Sequence, residues 1–165
     1  MDVRFVNACI AATRQAFRKL LSTELVAGKA FIRTDKDPAG EVTVYARVRG
    51  VAAAGLGLSF SEGTAGRVAS RLAGASLTPE TGGFRPAMAR LLAQIAAGAA
   101  EDLKGRLAPK FDEPEVAVRV GRHAGEPGEG PRLALPFDSS LGRFMLEIAM
   151  TVEPEAAASP AMQTD

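Results

Sequence analysis

Residues 84–107, FRPAMARLLAQIAAGAAEDLKGRL, read as one long helix, and its place between two runs of strands decides the fold. Met88, Leu92, Ile95, Ala99 and Leu103 recur at helical spacing and form its apolar stripe. Pro86 suits a first-turn position, where a missing N–H leaves no bond unmade. Just upstream, Ser61 is a good N-cap for EGTAGRVASRLAG, with Glu62 favourably placed in the first turn. Val68, Ala69 and Leu72 supply the buried face of that helix, and Gly74 suits its C-terminal stop. ASLTPETGG connects the two helices.

Working outward, Val6, Cys9, Ile10, Thr13, Phe17, Leu20 and Leu21 give a first helix over about residues 3–22, with Asp2 as its cap. Lys29 to Asp35 reads as a strand, and DKDPAG as a turn. Val42, Val44, Ala46 and Val48 alternate with Thr43, Tyr45, Arg47 and Arg49, the pattern of a half-buried strand. AAAGLGLSF continues as the next one. After Pro109 the period returns to two, with Val116, Val118 and Val120 in one strand. RHAGEPGEGP is then expected as a hairpin loop, before strands at Leu133 to Phe137 and Phe144 to Val152. EPEAAASPAMQTD, residues 153–165, has no periodicity and is expected to be a disordered tail. The order is helix, three strands, two helices, three strands. Short turns between strands imply antiparallel pairing, so the chain is expected to form one α+β domain over residues 1–152, an antiparallel sheet with helices on one side. No internal repeat is visible in the sequence.

The 165 residues are 47% hydrophobic and 24% charged, ordinary for a globular protein that buries a core without staples. Twenty basic and 19 acidic residues leave a net charge of +1, no basis for attracting nucleic acid or a membrane. Arg14, Arg18 and Lys19 read as a solvated helix face. Cys9 and His123 are the only cysteine and histidine, so neither a disulfide nor a metal cluster is expected, and no cofactor is implied. MDVRFVNACIAATRQAF is interrupted by Asn7, Thr13 and Arg14, so neither a signal peptide nor a membrane span is expected there, and the expected location is the cytoplasm. Gly55 and Gly57 lack the context of a phosphate-binding loop and read as close backbone approach in a sheet. Asn7 reads as structural, and Glu101-Asp102 as solvated charge.

Three stretches, in this order and spacing, carry a resemblance: Phe5-Val6-Asn7 in the first helix, GLGLSFSEGTAGRVASRLAG at 55–74 and PFDSSLGRFMLEIAM at 136–150. Together they resemble the CheX family of the CheC/CheX/FliY superfamily, over about residues 1–152. The resemblance implies a CheC-like or CheX-like fold, a CheY-like receiver domain as partner, and hydrolysis of the aspartyl phosphate on a chemotaxis response regulator. It also implies a homodimer, since such proteins often pair through their sheets. The family's long helix carries Glu-x-x-Asn; the Asn orients the attacking water and the Glu pairs with a lysine of the regulator. With the family's later Gly and Asn falling at Gly98 and Ala99, the Glu position is Leu91 and the Asn position is Gln94.

The motif is therefore replaced. No acid stands three or four residues before any Asn or Gln of the chain. The implied reading is a degenerate, weak or inactive phosphatase that binds a receiver through Ala87, Arg90, Leu91, Gln94 and Gly98. A different reading keeps activity, with Gln94 as the catalytic residue, since an amide orients water on a stem of one methylene or two. A third is a structural interaction module. Leu91 itself lies on the shoulder of the buried stripe, and the spacing leaves open whether it is core or part of an exposed apolar patch. The pair Leu91→Glu with Gln94→Asn would separate the readings if the scaffold accepted it.

Overall fold

In the computed structural model the chain is described over residues 3–33, 40–48, 52–103, 115–120 and 132–152. Asp2, His123, the 122–131 segment and the 153–165 tail lie outside the described residues. The elements are α1 (Val3–Leu21), β1 (Val26–Ala27), β2 (Phe31–Arg33), β3 (Val42–Val48), β4 (Ala52–Phe60), α2 (Glu62–Ala73), α3 (Phe84–Leu103), β5 (Glu115–Val120), β6 (Arg132–Asp138) and β7 (Phe144–Val152). The sheet runs β1-β6-β7-β4-β3-β5, with β2 also beside β6, and every pairing is antiparallel. The fold is the expected α+β architecture.

Two details differ from the sequence reading. The first strand is split. Ala27 pairs with Phe137 and Phe31 with Ala134, so the register slips by one residue across positions 28–30, as at a β-bulge. Pro136 stands opposite the break; having no N–H, it can only accept, and it does so from Gly28 N at 2.8 Å. Second, β5 and β6 are not a hairpin: β5 pairs with β3, and β6 with β7. Loop composition marked a turn there but could not say which strands meet.

Alternation places Val42, Val44, Ala46, Leu56, Leu58, Phe60, Leu135, Phe137, Phe144, Leu146 and Ile148 on the face that meets the helices, all in one core. Phe144 is its hub, with ring centroids 4.7 Å from Phe17, 5.4 Å from Phe60 and 5.5 Å from Phe137. α2 ends as its sequence asks: Ser61 accepts from Thr64 N at 3.2 Å, and Gly74 at φ 69 donates to the Ser70 carbonyl. α3 starts two residues before Pro86, its entry held by Phe84 N on Thr81 O and Ala87 N on Gly83 O. Arg14 is half-buried, donating to Leu25 O at 2.8 Å and lying over the Phe137 ring, while Arg18 pairs with exposed Glu24, whose carboxyl it holds below the usual range by hydrogen bond and charge. Gly55 sits mid-strand, and a Cβ there would meet Ala149 Cβ at an ordinary 3.9 Å, so no close approach explains it. Among the described residues no helix is long and apolar enough to cross a membrane.

Candidate functional site

α3 is rich in alanine and leucine, with Ile95 its single β-branched residue, so its backbone favours the helix before any packing. It packs on strands β3 and β5 beneath it and on the helices α1 and α2. A helix covered on two sides buries a wider arc than one resting on a single surface. The expected stripe of Met88, Leu92, Ile95, Ala99 and Leu103 is buried, and Phe84, Ala87, Leu91 and Ala96 join it.

This settles the position of Leu91. Its side chain is 0% exposed, part of the core. Ala87 is buried as well. Of the five residues expected at the docking patch, Ala87 and Leu91 are buried, while Arg90, Gln94 and Gly98 are exposed.

Among the exposed residues of α3, Arg90, Ala93, Gln94, Ala97, Gly98 and Glu101 share one arc, with Gln94 toward its Gly98 edge. Arg90 reaches sideways, its Nη2 donating to the Leu72 carbonyl at 3.2 Å, near the C-terminal end of α2. That geometry suits a cation at a helix C-terminus. Gln94 makes no hydrogen bond among the described residues. The site therefore offers a free amide on a surface of small residues. One turn upstream stands a cation, and the position three before the amide is sealed in the core. Such a surface can hold a water or a partner's polar group; among the described residues of α3 no carboxylate stands one turn from the amide on either side. Glu101 and Asp102 are exposed in the last turn of α3. Asn7 is exposed on α1.

Sequence reasoning missed a buried charge cluster. Glu147 on β7 accepts from Arg132 Nε at 3.0 Å and from Arg33 Nη1, and all three side chains are buried on the sheet face turned from the helices. Alternation along β7 put Glu147 on that face but carried no signal of burial. An open groove of about 950 Å³ lies between α2 and the 75–83 connector, lined by Gly66, Arg67, Ser70, Leu77 and Pro79 among others, none of them on α3. Arg67 and Arg71 are engaged there with the Leu141 and Leu21 carbonyls. Cys9 is fully buried, and burial pushes its thiol up to about 12, which excludes it as a nucleophile at neutral pH.

No family model matches the sequence, and no curated protein is significantly similar to it. Solved structures do match. A CheC-like superfamily protein from Shewanella superposes with TM-score 0.76 at 19% identity, over 91% of this chain and 99% of that one. The chemotaxis protein CheX from Vibrio vulnificus gives 0.73 at 22% identity, over 88% and 98%. The CheX of Borrelia burgdorferi, solved in complex with CheY, BeF3 and Mg, gives 0.72 at 19%, over 89% and 97%. At these identities the likeness is one of fold: the chain has the fold of the CheX and CheC-like proteins over nearly their whole length.

Proposed function

We propose that this protein docks on a phosphorylatable receiver domain of the CheY type through the exposed arc of α3, in bacterial chemotaxis or two-component signalling, and that it hydrolyses the receiver's aspartyl phosphate weakly or not at all. The reading is supported by the fold, by the three sequence stretches that resemble CheX, and by the similar Borrelia protein that was solved with CheY. One observation carries its negative half: Leu91, the position where the resemblance expects the regulator-pairing acid, is a fully buried hydrocarbon. Catalysis of phosphoryl transfer depends on alignment and charge, and a water-positioning group misplaced by about 1 Å can cost on the order of 100-fold in rate. A receiver partner sets the protein in the cytoplasm.

The test is the decay of phosphate on a receiver with and without this protein, beside a binding titration. Binding with unchanged decay supports the proposal; faster decay overturns its negative half; neither binding nor decay points instead to a structural interaction module. A specific observation favours an active alternative, since the Gln94 amide is exposed and unengaged among the described residues. If decay does accelerate, Gln94→Ala should abolish the effect while binding persists.

We also infer a homodimer. β1 and β2 pair only with β6 among the described strands, and they carry Val26 at 66%, Phe31 at 44% and Ile32 at 60% exposure. An apolar, half-paired edge is a physical means for two copies to join.

A further inference from the structure

Gly98 lies one turn after Gln94 on the exposed arc of α3. Glycine inside a helix costs stability relative to alanine, so its presence mid-helix asks for a cause. A Cβ placed on Gly98 would stand 3.3 Å from Ala12 Cβ and 3.9 Å from Ala12 Cα. The missing substituent would therefore press on α1 at the edge of the exposed arc. α1 meets this seam with small residues at helical spacing, Ala8, Ala12 and Ala16, all buried. The absent methyl lets the two backbones close on one another beside Gln94.

We propose that Gly98 is a positioning residue: by setting the separation of α1 and α3, it fixes where the Gln94 arc stands when a receiver meets it. The inference rests on the reading that this arc is the receiver-docking surface. A methyl at 98 forces the seam apart by a few tenths of an ångström, because neither main chain nor an alanine methyl can rotate away. Gln94, one turn distant, moves with it.

The experiment uses the full chain and a CheY-type receiver loaded with BeF3 and Mg, titrated against wild type, Gly98→Ala, Ala12→Gly and the double variant, with a thermal melt of each. Gly98→Ala should fold and bind several-fold more weakly, since its gain in helix propensity offsets the crowding. Ala12→Gly alone should bind like wild type. The double variant moves the glycine across the seam and should recover wild-type affinity without restoring Gly98. Wild-type binding by Gly98→Ala overturns the proposal. So does a double variant as weak as the single one, which would mean that the receiver needs a bare surface at 98 rather than a spacing. Failure of the wild-type protein to bind the receiver, seen before any variant is made, sinks the docking reading itself and the positioning role with it.

Discussion

Leu91 shows how one side chain closes off a chemistry. Placing there the acid that the CheX resemblance expects would put a carboxylate in a fully buried, hydrocarbon-lined position of the core. Leu91→Glu is expected to destabilise the fold by about 3–5 kcal/mol, the scale of an uncompensated buried charge, and a thermal melt should show it. The pair Leu91→Glu with Gln94→Asn should consequently yield a less stable protein, not a phosphatase; accelerated receiver decay by that variant would overturn this expectation. Cys9 provides a second prediction. Its thiol ordinarily ionises near 9.0 and in the fold is pushed to about 12 by burial. Between those values the unfolded chain has released a proton that the folded chain keeps, so stability falls as pH rises through this window. Denaturant midpoints at pH 8 and pH 11 should show a loss that is smaller in Cys9→Ala, which lacks the linkage. The same burial should protect Cys9 from thiol reagents until the protein unfolds.

At the scale of elements, much of the assembly is held by arginines that reach across to main-chain carbonyls. Arg14 binds Leu25, Arg67 binds Leu141, Arg71 binds Leu21, Arg85 binds Val118 and Arg90 binds Leu72. Two of these carbonyls, those of Leu21 and Leu72, lie at helix C-terminal ends, where they lack intrahelical partners and favour a cation. The near-neutral net charge thus says little about where the cations work. The edge formed by β1 and β2 is the other element with consequences. Ile32→Lys places a charge on the exposed apolar edge, a common device for blocking strand-to-strand association. It should shift the protein from dimer to monomer by light scattering and leave the melting temperature of the monomer unchanged. A wild-type protein that is monomeric at high concentration would remove the dimer proposal.

For the whole molecule, the sheet order has a symmetry that no repeat in the sequence announces. One half comprises α1, β1 with β2, β3 and β4; the other comprises α3, β5, β6 and β7; α2 lies between them. Exchanging the halves reproduces the order β1-β6-β7-β4-β3-β5 read from its other end. Each half lends its first strand to the other: β1 and β2 pair with β6, and β5 pairs with β3. β4 and β7 join the halves at the centre along nine residue pairs. Neither half can complete its sheet alone, and α1 and α3 bury each other's flanks. Cutting the chain in the 75–83 connector should therefore give two fragments without stable structure by circular dichroism, and mixing them should restore the signal. A single fragment that folds on its own would refute this interdependence.

Local sequence determined the elements: helix periodicity placed α1 and, with its caps, α2 within a residue or two, and it placed the start of α3 though the helix expected to 107 is described only to Leu103; strand patterning placed β3, β4, β5, β6 and β7. It also determined that an acid and an amide cannot stand one turn apart, because the residue types are absent at that spacing. Tertiary structure alone decided which strands pair, since composition marks a turn at 122–131 without saying where the chain goes next. It split the first strand opposite Pro136, buried Glu147 between two arginines, and turned Leu91 inward. Leu91 sat at the edge of the stripe, where a rotation of some tens of degrees separates core from surface. The helices α1 and α2, brought against α3 by long-range packing in addition to the sheet, widened the buried arc enough to take it.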